Sequence, residues 1–169
     1  MELVFGWISL ACACAGLSVL IILSAIDLRT WLLPNKWVAT LAILGVTFHA
    51  CMRFSLLPVH EMIFGALIGG GLLYVIRMAG NAYYKQDTLG LGDVKLLFAA
   101  GLWLGIEGTI IAITAGAFAG LLHGIVVAIF KAIKEKQGIN LKRLMIPAGP
   151  GFCVGIAAAW VWLYWGYWH

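Results

Sequence analysis

Charge is what this sequence has least of. Asp, Glu, Lys and Arg together make up 11% of the 169 residues, while 63% are hydrophobic. A soluble domain typically carries about 25% charged and about 45–50% apolar residues. An ordinary water-soluble fold is therefore excluded, and the imbalance points to lipid. Long polar stretches are missing too. The longest, KAIKEKQGINLKR from Lys131 to Arg143, reads as a basic loop or an amphipathic surface segment, and no separate soluble domain can be built from it. The formal net charge of +4 then reports orientation in a membrane rather than contact with nucleic acid. The cysteines Cys12, Cys14, Cys51 and Cys153 contain no CxxC pair. That removes a zinc knuckle and leaves them as small packing residues of apolar helices. No basic residue precedes Arg29, and Glu2 occupies the region where a signal peptide would be basic, so the first apolar segment is expected to be retained.

What is present is a series of apolar segments: Leu3–Ile26, Trp37–Met52, Met62–Tyr84, a fourth that ends before Glu107, Thr109–Phe130 and Pro150–Trp168. About 20 apolar helical residues cross roughly 30 Å of hydrocarbon. The expected fold class is an all-α membrane protein, a polytopic bundle of about six transmembrane helices, making one domain over residues 1–169. The fourth segment is anomalous, because only 11 residues separate Lys95 from Glu107. A spanning helix there must begin near Leu89 and carry Asp93 at its mouth; otherwise the segment is short, tilted or re-entrant. Either way a carboxylate sits where solvation is poor. Alternating the loops leaves Arg53 alone on one face, with the other basic residues opposite. The richer face is cytoplasmic and both termini lie outside. Trp160, Trp162, Tyr164, Trp165, Tyr167 and Trp168 read as an interfacial aromatic belt. Glycines recur four apart at Gly65 and Gly69, Gly101 and Gly105, Gly116, Gly120 and Gly124, and Gly151 and Gly155, a spacing that lets helix backbones approach closely.

The scarce carboxylates can be sorted by this topology. Glu2, Glu61 and Glu107 fall on the outer side, and Glu135 sits in the basic loop. Asp27, Asp87 and Asp93 remain on the cytoplasmic side near segment ends. An ionisable group in or near a membrane is costly and is a functional candidate by default. Asp27 closes the first segment, followed by Arg29 and by the chain-breaking Pro34 and Asn35; alone, it reads as half of an interfacial pair with Arg29. Asp93 follows Gly90 and Gly92 in GLGDVK. Two glycines before an acid leave the backbone open on one side, so that a peptide can reach the carboxylate. Asp87 reads as a solvated loop residue.

Two aspartates from two helices support one mechanism well. Brought together in a poorly solvated site, both carboxyls cannot ionise at once, so they share a proton. The ionised one takes a proton from water, which attacks a peptide carbonyl; the protonated one donates to the carbonyl oxygen. The pair titrates as a unit, and neither is assigned as acid or base. The histidines do not compete: His49 and His60 fall on the outer side, His123 stands alone in the fifth segment, and His169 is terminal.

With these residues in place, the chain resembles a known family. Asp27 with Pro34 and Asn35, then GLGDVKLL from Gly90 to Leu97 including Lys95, then Ile146–Pro147–Ala148–Gly149–Pro150 are similar to the three signature segments of the type IV prepilin peptidases, members of the GxGD aspartyl proteases. The resemblance implies that Asp27 and Asp93 are the catalytic pair. Gly90, Gly92, Lys95, Pro34, Pro147, Gly149 and Pro150 support the motifs. It implies a prepilin or pseudopilin substrate with a basic leader and a hydrophobic helix, cut at the cytoplasmic face of a bacterial inner membrane, with no cofactor, no metal and no nucleic acid. Larger members carry an N-terminal segment with paired CxxC motifs linked to methylation. This chain looks like the short, peptidase-only form, often linked to Flp-type pili, and no methyltransferase activity is expected. At Ala148 the family usually has Phe.

Two other readings use the same aspartates. One is an intramembrane protease for a different substrate class. The other is a transporter in which Asp27 and Asp93 relay protons or bind a cation. Membrane lipid is a partner in every case.

Overall fold

The computed structural model describes residues 2–135 and 147–165. Most of the basic segment Lys131–Arg143 lies outside the described residues, as do Ile146, Tyr167, Trp168 and His169. Among these residues five α-helices follow one another: α1 (Glu2–Thr30), α2 (Asn35–Cys51), α3 (Val59–Tyr84), α4 (Leu91–Glu135) and α5 (Gly149–Tyr164). Among the described residues there is no strand. Phe5–Thr30, Val59–Tyr84 and Leu91–Phe130 are long and apolar enough to cross a membrane. Their outer faces agree with lipid. Ile21 and Phe130 are each 70% exposed, and Leu67, Phe118 and Leu121 project outward beside them in composition. Apolar surface on that scale is a liability in water and ordinary in a bilayer. The described residues contain helices and no strand, and the chain is an integral membrane protein.

Local sequence explains where the helices stop. Trp31 adopts a left-handed conformation (φ 58°), and its N–H donates to the Asp27 carbonyl at 2.9 Å, closing the last turn of α1. Proline disfavours helix in the residue before it; Pro34 then caps α2, and Pro58 does the same for α3. Lys85, also left-handed, ends α3.

The anomaly in the fourth apolar segment resolves inside α4. Gly105 has φ 64° and ψ −164°, a region essentially reserved for glycine. It divides α4 into arms 91–104 and 106–135. A Cβ on Gly69 would meet both the Leu97 carbonyl and the Thr109 methyl. In a straight helix those two positions would lie about 18 Å apart, so the chain folds back at Gly105. The first arm runs antiparallel to α3, with Gly101 against Gly65; the second runs antiparallel to α5, with Ala112 and Gly116 against Gly155 and with Gly116 against Gly151. At the first crossing, a Cβ on either Gly65 or Gly101 would run into the other's backbone, as the four-residue spacing predicted.

Breaking a helix in lipid leaves carbonyls without their N–H partners, and each must be satisfied. The Trp103 carbonyl, just before the break, accepts the Tyr164 hydroxyl at 2.9 Å and lies 3.1 Å from His49 Nε2. The Trp103 indole donates to the Leu41 carbonyl at 2.8 Å, with its ring against Gly16 and Gly45. His49 therefore turns inward. It is fully buried at that end of the bundle, because it serves the broken helix. His60 is exposed.

Candidate active site

Three helix ends meet at the opposite end of the bundle. Asp27 lies in the last turn of α1, Asp93 in the first turn of α4, and Gly149 opens α5. Both aspartates are buried, each with 6% of its surface exposed, and their carboxylates are close enough to interact electrostatically. The Gly149 N–H donates to Asp27 Oδ2 at 3.1 Å. That places the positive end of the α5 dipole at the carboxylate. Asp27 forms no ion pair with Arg29; among the described residues the ion pair recorded is Arg77 with Asp87. Asp93 turns back on its own loop, its N–H donating to the Gly90 carbonyl at 3.2 Å. Its Oδ1 is buried without a hydrogen-bond partner among the described residues.

The motif residues have distinct structural tasks. Gly90 is exposed, and a Cβ there would stand 3.0 Å from Asp93 Oδ2; its lack of a side chain keeps the approach to that oxygen open. A Cβ on Gly92 would stand 2.7 Å from Leu33 Cβ, so this glycine lets α4 sit against the α1–α2 turn. A Cβ on Gly149 would reach Asp27 Oδ2 at 2.6 Å. Pro34 accepts N–H groups from Trp37 and Val38 through its carbonyl. Pro150 lies in the first turn of α5, where its missing N–H costs nothing, and Pro147 precedes it, half-buried. Lys95 makes no ion pair with either aspartate and donates to Asn35 Oδ1 at 3.0 Å.

Two features were not legible from the sequence. Cys153, read as a packing residue, is buried and within electrostatic reach of both aspartates. It stands four residues after Gly149, one turn further along the same α5 face; that spacing was the available signal. Asp87 is exposed, as read, but it is not merely solvated. It pairs with Arg77 at 2.6 Å and accepts from Asn81 at 3.0 Å. Arg77 also donates to the Leu89 carbonyl, and Asn81 Oδ1 accepts the Thr88 N–H and hydroxyl. These bonds fasten the loop before Gly90 to α3 and so set where α4, and with it Asp93, begins.

Among the described residues no three His, Cys, Asp or Glu side chains gather as metal ligands would. The chemistry on offer is that of two carboxyls, one bound to a backbone amide, the other with an oxygen free, beside the exposed and side-chain-free Gly90.

Comparison with known proteins bears on this geometry. The type IV leader peptidase family model matches residues 14–125, a range that contains both aspartates. The prepilin leader peptidase/N-methyltransferase of Escherichia coli (strain K12) is 36% identical over 104 residues, 62% of this chain and 45% of that protein. The protein of the same name from Aeromonas salmonicida (strain A449) is 30% identical over 166 residues, 98% of this chain and 53% of that protein. One from Pectobacterium carotovorum subsp. carotovorum is 30% identical over 139 residues, 82% of this chain and 47% of that protein. The chain spans about half the length of these relatives. No solved structure matches it.

Proposed function

The chain belongs to the type IV leader peptidase family, and from that premise we propose that it is a membrane aspartyl endopeptidase that removes the leader from prepilin-like substrates. Asp27 and Asp93 are its catalytic pair. The observation that carries the reading is their joint burial at one end of the bundle, each delivered by a different helix end. Two carboxyls placed so hold one proton between them. The ionised member draws a proton from a water molecule, whose oxygen attacks the scissile carbonyl. The protonated member donates to the carbonyl oxygen, and collapse of the tetrahedral intermediate passes a proton to the leaving amine. The Gly149 amide fixes Asp27 during these steps, and Gly90 leaves room for the extended backbone of the substrate at Asp93.

The substrate is a prepilin or pseudopilin whose basic leader stays in the cytoplasm while its hydrophobic helix lies in the bilayer. The peptidase itself is a single domain of the bacterial inner membrane. It crosses with six helical segments, the two arms of α4 counting separately, and both termini face outward. The ratio of basic residues across the two faces supports this orientation, and the reversal at Gly105 supports the segment count.

The test is to reconstitute the protein in liposomes with a purified prepilin and sequence the product. A new N-terminus between the basic leader and the hydrophobic helix is expected. Intact prepilin, together with proton uptake that follows an imposed gradient, would replace the peptidase by the transporter reading.

A further inference from the structure

Helices α2 and α3 both pack on α4 but not on one another. Between them lies a groove of about 600 Å³ floored by the first arm of α4. Small residues make up much of its walls, Ala39 and Ala42 on α2 and Gly70 and Gly71 on α3, with Val38 and Tyr74 beside them. Asn35, Ala39 and Ala42 fall on one α2 face, so that wall runs about 10 Å along the helix axis. Val94 and Lys95, which immediately follow Asp93, belong to the floor. The Lys95–Asn35 hydrogen bond marks the polar end of the groove.

We propose that this groove is the docking site for the hydrophobic helix of the substrate. The inference rests on the peptidase reading above and adds where the substrate lies. Three observations select a helix as the occupant. Small residues on both walls allow a helix backbone to come close, which is how helices associate in lipid, where apolar area alone drives little. The groove is apolar along its length and polar at one end only, as a helix leaving the bilayer requires. That polar end adjoins Asp93 along α4, so the residues just before the bound helix would cross the side-chain-free Gly90 to the carboxylates. Entry is then beside α4, between α2 and α3, rather than between α4 and α1.

Gly71 provides the test, because a Cβ there meets nothing within 4 Å. Gly71→Trp places a large ring at the groove wall from a Cβ that itself strikes nothing. Gly120, whose Cβ also meets nothing within 4 Å, lies outside the groove, and Gly120→Trp is the control. For a full-length prepilin, Gly71→Trp is expected to raise KM about tenfold, with kcat held within about twofold; Gly120→Trp changes neither. A photo-crosslinking residue at position 71 in an Asp93→Asn background is expected to capture the prepilin helix, and the same residue at position 120 is not. Normal KM in Gly71→Trp, or capture of lipid alone at position 71, overturns the groove while wild-type cleavage leaves the peptidase reading standing. If the wild type cuts no prepilin, both fall.

Discussion

The backbone amide of Gly149 and the carboxylate of Asp27 meet at 3.1 Å, although 122 residues separate them in sequence. This bond ties the start of α5 to the end of α1 at the point where Asp93 enters from α4. There is no room for a side chain at residue 149, since a Cβ would sit 2.6 Å from Asp27 Oδ2. Gly149→Ala should therefore push the carboxylate out of register. A displacement of about 1 Å costs on the order of a hundredfold in rate. Prepilin cleavage by this variant at wild-type membrane levels checks the prediction; an unchanged rate would mean that Asp27 does not depend on this contact.

The loop that delivers Asp93 is held from outside the site. Asp87 is 78% exposed and Arg77 only 16%, so the ion pair itself is screened and contributes little to stability. Its task is positional, because Arg77 also holds the Leu89 carbonyl. Arg77→Ala is expected to lower kcat about tenfold with little change in the thermal midpoint in detergent. Asp87→Asn, which keeps an acceptor for Arg77 and Asn81, should retain most activity. Equal losses in both variants would assign the pair a charge role instead.

The helix crossings set a stability prediction. At Gly101 a Cβ would run into the Gly65 backbone, which cannot rotate away as a side chain could. Gly101→Ala should destabilise the fold by about 1–3 kcal/mol. Trp103→Phe should cost about 1 kcal/mol, because it removes the indole bond to the Leu41 carbonyl, which keeps its partner within α2. Thermal unfolding in a single detergent reads both.

The shared-proton mechanism fixes the sign of the pH dependence. At low pH both carboxyls are protonated and no base remains to activate water. At high pH both are ionised and no acid remains for the carbonyl oxygen. The rate should therefore fall on both sides of an optimum. Either Asp→Asn variant should lose the bell shape along with activity. A wild-type profile that rises monotonically with pH would point to a single titrating group.

Much of this architecture is legible in the amino-acid sequence. The apolar segments matched helices because about 20 consecutive apolar residues have few alternatives. The shortness of the fourth segment correctly marked a place where something unusual happens. Its resolution was not legible: a glycine at position 105 reads as a packing residue, and only the backbone reveals a left-handed φ and a reversal. The burial of His49 was not legible for the same reason, since the carbonyl that draws it inward is exposed only by the break after Trp103. Asp27 and Asp93 stood out because carboxylates are rare and costly in such a chain. The Gly149 amide and the Arg77 anchor did not, because backbone donors and contacts across loops leave no periodic trace.

In the proposed reaction Asp27 and Asp93 act together. The measurement that tests it most directly is cleavage of a co-expressed prepilin by the wild type, Asp27→Asn and Asp93→Asn, with membrane levels matched. The wild type is expected to process the prepilin, and each single substitution to abolish processing while the protein stays inserted. Normal processing by either variant would contradict the joint action of the two aspartates.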